Sequence, residues 1–289
     1  MNEEERTILP RNVGLRMKAV YDTLKPAEKK GADYLMNSAD QISHMTITEL
    51  AKAAGCSEAT IFRLAKKLGY NGFSNFKEDL QNNKKSIGFD IFEAFKRDDS
   101  PEEVLKKTFQ ISIQALEDTL NAMDIKVFSE AAMALKKAKR TVAFASGDAI
   151  PVANVLYNCF LRVGKEVYAP SDIDSINIIC SQLSKNDVLV CISHSGATRS
   201  VVQVAKRARR QGVQVIAITN FPLSQLAKNA DYVLYTAVFT EGIKGEIISK
   251  RLPEMCIVES LFLVMILNDS RYETSIQTAI NATRFNKYN

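Results

Sequence analysis

The apolar positions of the first eighty-odd residues recur at helical spacing. Leu15 to Lys25 reads as a first helix, and a second opens near Pro26 and runs to about Asn37. Ile47, Leu50, Ala51 and Ala54 fall on one face of a third, which starts at the capping box Thr46-Ile-Thr-Glu49 and stops at Gly55. Ser57 caps a fourth helix, whose inward face is Ile61, Leu64, Ala65 and Leu68 and which Gly69 ends. Phe73 and Phe76 lie on a further helix and close a small core. No element is predicted over residues 1–14. Residues 82–103 mix Asn, Lys, Asp, Ser and Pro around the apolar patch Ile91 to Phe95, and read as a linker with room for one short helix.

Beyond the linker the period changes. Glu102–Leu120 and Asp124–Lys139 are helical, and then short apolar runs alternate with helices. The strands fall at Thr141–Ala145, Glu166–Ala169, Asp187–Ile192, Val213–Thr219 and Tyr232–Thr236, with helices reaching Gly164, Leu183, Gln211 and Ala230 between them. Repeated strand–helix units with short connections predict a five-stranded parallel sheet flanked by helices. Two more helices follow over residues 246–289. The fold class is therefore an all-α helix-turn-helix domain followed by an α/β domain. Its expected boundaries are 1–81, a linker 82–103, and 104–289.

Two short helices joined by a glycine-containing turn make a helix-turn-helix pattern. Its second helix is expected to present Glu58, Ala59, Thr60, Arg63, Lys66 and Lys67 outward, with Thr46 and Ser57 at the two helix starts. Small and hydroxyl side chains can approach base edges, Arg63 suits a guanine or a phosphate, and the lysines suit phosphates. The plainer reading is a solvated basic face. The second candidate is Asp187-Val-Leu-Val-Cys-Ile-Ser-His-Ser-Gly-Ala-Thr198. A buried strand runs into a turn with three hydroxyls around Gly196, and Val201, Val204, Ala205 and Ala208 then start a helix. Hydroxyls and helix-start amides make a cradle for an anion such as phosphate, at the sheet edge where open α/β folds bind ligands. Here the plainer reading is a Ser-rich capping turn.

Composition adds bounds. The chain has 289 residues, a formal charge of +5 and five cysteines without paired spacing. Cys159, Cys180, Cys191 and Cys256 sit in apolar surroundings and read as buried thiols of a reducing, cytoplasmic setting. The acidic start predicts no signal peptide, and Met255 to Leu267 is too short to span a bilayer. Neither His44 nor His194 has a partner at metal-ligand spacing, and no dinucleotide glycine motif, Walker loop or nucleophile elbow is present. Neither a cofactor nor a metal is called for. Lys206, Arg207, Arg209 and Arg210 read as a solvated helix face.

Residues 46–73, Thr-Ile-Thr-Glu-Leu-Ala-Lys-Ala-Ala-Gly-Cys-Ser-Glu-Ala-Thr-Ile-Phe-Arg-Leu-Ala-Lys-Lys-Leu-Gly-Tyr-Asn-Gly-Phe, resemble the helix-turn-helix of RpiR-type bacterial transcription regulators. Val142 to about Phe262 resembles the SIS (sugar isomerase) domain that accompanies it, most closely at residues 187–198 and 212–220. The resemblance implies that Ser193, Ser195 and Thr198, with His194 and Gly196 in the same loop, hold the phosphate of a phosphosugar. It departs after the first strand. There the family has Gly-x-Gly-x-Ser and this chain has Ala145-Ser-Gly147-Asp148-Ala149, so a contacting serine is replaced by Ala149 and a carboxylate is added at Asp148. Asp148 would read sugar hydroxyls or an amine, or would face solvent and cap the helix near Pro151. Lys250-Arg251 stands where the family often has Ser-Arg, and Glu254 lies near a catalytic carboxylate of the wider superfamily.

The expected function is a DNA-binding regulator whose operator affinity a phosphosugar modulates, controlling carbohydrate genes. Its partners would be double-stranded operator DNA, the effector and a second copy, as homodimer or dimer of dimers through the apolar helix Met255–Leu267. The competing expectation is a sugar-phosphate isomerase with a helical extension, for which Asp148, His194 and Glu254 are the ionisable candidates.

Overall fold

The computed structural model describes residues 13–21, 24–37, 42, 45–82, 95–96, 98–238, 248–267 and 269–284. The chain divides into two units, residues 1–123 with 237–248, and residues 124–236 with 249–289. The expectations for residues 1–12, and for the apolar patch as far as residue 94, lie outside the described residues.

The first unit contains α1 (Val13–Val20), α2 (Pro26–Asn37), α3 (Ile47–Ala53), α4 (Glu58–Lys67), α5 (Phe73–Asn82) and α6 (Pro101–Ala122). α1 starts two residues earlier than its pattern predicts and stops short of Lys25. The Thr46 capping box forms in full: the Thr46 hydroxyl accepts from the Glu49 amide, and the Glu49 carboxylate accepts from the Thr46 amide at 2.7 Å. Ser57 caps α4 by accepting from the Thr60 amide. Met17, Val20, Leu50, Ile61, Leu64, Leu68 and Phe76 form the core of this module, each no more than 2 % exposed. Phe73 packs against it, as the aromatic pattern predicts, and Tyr70 meets Phe76 edge-on at 5.3 Å. α6 opens on a second capping box, Ser100 with Glu103.

The second unit contains α7 (Ile125–Lys137), β1 (Arg140–Ala145), α8 (Ile150–Arg162), β2 (Glu166–Tyr168), α9 (Ile173–Ser181), β3 (Val188–Ile192), α10 (Arg199–Arg210), β4 (Gln214–Thr219), β5 (Tyr232–Tyr235), α11 (Arg251–Ile266) and α12 (Ser270–Thr283). All five strands are parallel, in the order β2-β1-β3-β4-β5. α9 and α10 cover one face, where Val142, Phe144, Leu189, Cys191, Val215 and Ala217 meet Ile176, Val201, Val204 and Ala205. α7, α8 and α11 pack together and cover the other. The apolar stripe of α10 is fully buried as its spacing predicts; Val201 and Val204 contribute roughly 1.5–3 kcal/mol each.

One predicted helix does not form. Between β4 and β5 there is only the single turn Ala227–Asn229. Pro222 sits at its start, and the Leu226 amide is spent on the Gly196 carbonyl at 2.9 Å, so the segment straps a loop instead of coiling. The cysteines also divide. Cys180 and Cys191 are buried, Cys159 is half-buried and Cys256 is exposed, because it falls on the outer side of α11. Among the described residues no helix is long and apolar enough to cross a membrane.

Candidate functional site

β1 and β3 are neighbours, yet the chain leaves β1 towards β2 on one side and builds β4 and β5 on the other. Their boundary is the point where the winding reverses, which opens a crevice beyond the carboxyl ends of the strands. Ala145 of β1 is in register with Ile192 of β3. Ser146-Gly147-Asp148-Ala149 and Ser193–Thr198 therefore leave the sheet side by side.

The Ser193–Thr198 loop is held by its backbone. Ser193 donates its amide to Ile218 O, His194 O accepts from the Asn220 amide at 3.0 Å and from the Thr219 hydroxyl, and Gly196 N donates to Ser193 O. Gly196 has φ +59°, and a Cβ there would collide with the Ser224 side chain and come within 2.8 Å of the Thr219 hydroxyl. Only glycine fits this position. The hydroxyls of Ser193 and Thr198 are 3.0 Å apart, so one proton is shared between them and the other stays available. Ser195 is exposed and its hydroxyl accepts from the Ala197 amide. Thr198 is the N-cap residue of α10 but makes no side-chain cap bond. The hydroxyls thus hold one another and the loop, while the first amides of α10 lack intrahelical acceptors, as at any helix start. The His194 ring meets Phe221 edge-on at 5.8 Å.

On the facing loop, Ala149 is buried and presents only a methyl group. Asp148 caps nothing, for neither the turn Gly147–Ala149 nor α8 has a side-chain cap bond. Its carboxylate instead takes Arg251 Nη2 at 2.7 Å and Lys250 Nζ at 3.0 Å. Partial burial raises its pKa, but the bonds from Arg251 and Lys250 outweigh that and hold it below the usual carboxylate range. The same Arg251 donates Nη1 to Glu254 at 2.6 Å. Glu254 is fully buried, and burial pushes its carboxyl up to about 6 against the pull of Arg251. The sequence pointed to Asp148, Lys250, Arg251 and Glu254 separately; the structure joins them into one chain of charges at the crevice wall.

On the helix-turn-helix, the expected outward face needs two corrections. Thr60 is buried, its hydroxyl 2.8 Å from that of Ser57, because it falls on the capping side of the first turn. Lys67 turns back to α2 and pairs at 2.7 Å with Glu28, itself only 5 % exposed. Glu58, Ala59, Arg63 and Lys66 are exposed as expected, and Phe62, absent from the sequence reading, is exposed among them. Thr46 and Ser57 are exposed with their hydroxyls spent on the two caps.

A helix-turn-helix followed in the chain by a parallel α/β unit with a hydroxyl loop at its winding reversal defines a class of two-part regulator. A model of the helix-turn-helix domain of the rpiR family matches residues 12–96, and a model of the SIS domain matches residues 134–265. An uncharacterised HTH-type transcriptional regulator of Thermotoga maritima is 32% identical over 258 residues, 89% of this chain and 92% of that one. The HTH-type transcriptional regulator RpiR of Escherichia coli is 24% identical, over 88% of this chain and 87% of that one. The chain belongs to the rpiR family of HTH-type transcriptional regulators. Its fold is similar to that of the Vibrio vulnificus NanR protein complexed with ManNAc-6P (TM-score 0.61, 22% identity, 96% of this chain and 100% of that one). It is also similar to the sugar isomerase domain of an RpiR transcription factor from Sphaerobacter thermophilus (TM-score 0.57, 20% identity, 62% of this chain and 98% of that one).

Proposed function

We propose that this regulator binds double-stranded operator DNA through α4 and that a phosphosugar seated in the crevice between β1 and β3 modulates its affinity. The observation that carries the ligand reading is the Ser193–Thr198 loop, which brings its hydroxyls to the start of α10 at the winding reversal, next to the β1 loop whose Asp148 holds Lys250 and Arg251. Hydroxyls, amides and two cations suit a phosphate, and such charge-assisted bonds are the strong ones. Ser193, His194, Ser195, Gly196 and Thr198 form the phosphate side, and Gly147, Asp148 and Ala149 form the wall facing the sugar. On the DNA side we assign base contact to Ala59 and Arg63, phosphate contact to Lys66, and a framing role to Glu58; Thr46 and Ser57 set the helix starts, while Thr60 and Lys67 brace the module.

A single helical module makes few contacts, so specific binding calls for two modules on a two-fold operator. α11 supports a homodimer or dimer of dimers. One side packs into its own unit, and the other leaves Leu263, Val264 and Leu267 exposed. Residues 82–103 would then link the modules to the sensor, and a regulator of this kind works in the cytoplasm, where its operator is. An isomerase would need a reachable acid and base. Glu254 does not serve, since it is sealed from solvent and held by Arg251.

The test is titration of the full chain onto a labelled upstream duplex with and without sugar phosphates. ManNAc-6P, the ligand of the Vibrio vulnificus neighbour, is the first to try. An effector-dependent change in operator affinity supports the reading. Turnover of a sugar phosphate with no DNA binding favours the isomerase.

A further inference from the structure

Large apolar side chains are costly to leave in water, and the helical module over residues 13–82 leaves one out. Among its described residues Phe62 is the single large apolar side chain that is exposed, at 44 %. It lies outside the core cluster and is not among the partly buried residues packed against it. Its position on α4 is not one of the inward set, since Ile61, Leu64 and Ala65 take the core on either side of it. The neighbours of Phe62 on the helix surface are Glu58 and Ala59 one turn earlier and Lys66 one turn later, all exposed. Arg63 lies beside it. The ring therefore stands in the middle of the face that a second helix of this motif presents to the major groove.

Two neighbours flank it. The ring edge at Cε2 faces Gly72, the residue before α5, where an added Cβ would lie 3.7 Å away at ordinary van der Waals distance. The Lys66 ammonium sits over the ring at 5.7 Å and shields one side of it in the free protein. Once Lys66 turns to a phosphate, the ring face it covered is left open with nothing polar to offer.

We propose that Phe62 reads a thymine: its ring packs on the C5-methyl group in the major groove, the one apolar feature a base edge presents there. The proposal rests on the DNA-binding reading of α4 and adds a specificity-determining residue to it. Arg63 on the same face suits a guanine, so the expected preference is a thymine close to a G·C pair in each half-site.

The experiment uses the full chain. Wild-type protein first enriches its preferred sequence from random duplex DNA. Each thymine of that sequence is then replaced singly by deoxyuridine, which removes the methyl group and leaves base pairing intact. The expected result is one thymine per half-site whose replacement weakens wild-type binding about four-fold, the worth of one buried methyl-sized group. Phe62→Ala should bind the thymine duplex more weakly and be indifferent to that same replacement, while Phe62→Leu keeps part of the discrimination. The wild-type scan needs no variant to fold. If wild-type affinity is indifferent to every replacement, or if Phe62→Ala retains the full discrimination, the proposal is overturned while the DNA-binding reading stands. If no sequence is enriched at all, the DNA-binding reading fails and takes this proposal with it.

Discussion

Arg251 Nη2 donates to Asp148 Oδ1 at 2.7 Å, joining the turn after β1 to the first residue of α11 across 103 positions of sequence. With Lys250 on the other oxygen, the carboxylate is matched by two cations at the wall of the crevice. It is thus no bare negative charge facing a phosphate. In the proposed site it would compete with a phosphate for the same cations. Asp148→Asn should therefore tighten phosphosugar binding, by about 0.5–1 kcal/mol or two- to five-fold, because the carboxylate is exposed and screened. Calorimetry with ManNAc-6P reads this directly, and Arg251→Met should move affinity the opposite way.

Gly196 decides the shape of the loop. Gly196→Ala places a methyl group against Ser224 and Thr219 at a backbone φ of +59°. Strain of this kind costs on the order of 1–3 kcal/mol. The expected outcome is a lower melting temperature and lost phosphosugar binding, with operator affinity in the absence of ligand kept. Circular dichroism melts and gel shifts on one preparation separate the three.

The three basic residues of α4 should behave differently on DNA. Arg63→Ala should cost about 1–3 kcal/mol at the operator and relax the preference at one base pair. Lys66→Ala should weaken binding to all sequences alike and reduce the salt slope by about 1. Lys67→Met should leave the salt slope unchanged and destabilise the module, since it strands Glu28, a buried carboxylate whose pKa hydrogen bonds from Lys67 and Lys25 hold below its ordinary value despite burial. Binding at a series of salt concentrations, with urea melts, distinguishes the three.

Glu254 gives the second unit a pH signature. Burial raises its carboxyl from the ordinary 4.5 to about 6, so the folded state prefers the protonated form. Its contribution to stability is fully present below 4.5 and is lost as pH rises through 6. Between pH 4.5 and 7 the stability of Glu254→Gln relative to wild type should improve by about 1.5 kcal/mol. Urea unfolding at both pH values checks this, and a constant difference would mean that folding leaves the Glu254 pKa unshifted.

Most of the fold was legible because its signals are local. The Thr46–Glu49 and Ser57 caps, the buried stripe of α10 and the unbroken run Val188–Ile192 each state their element within a few residues. What failed was non-local. The segment before β5 has helical composition, but Leu226 bonds Gly196, thirty residues away, and no period records that. The outward placement of Lys67 failed because Glu28 lies on another helix. Phe62 is not legible as a surface residue because its apolar character reads as core, and only exposure shows otherwise. The residues of the crevice are each visible in sequence, yet the pairing of Asp148 with Lys250 and Arg251 is not, since those partners come from the far end of the chain.

If one loop couples sugar phosphate to DNA, it shows in the operator affinity of wild type and Ser195→Ala, each measured with and without ManNAc-6P and a panel of other sugar phosphates. At least one of them is expected to change the wild-type affinity, and Ser195→Ala to keep the ligand-free affinity and lose the response. A phosphosugar that binds wild type while operator affinity stays the same, or a response undiminished in Ser195→Ala, would contradict that coupling.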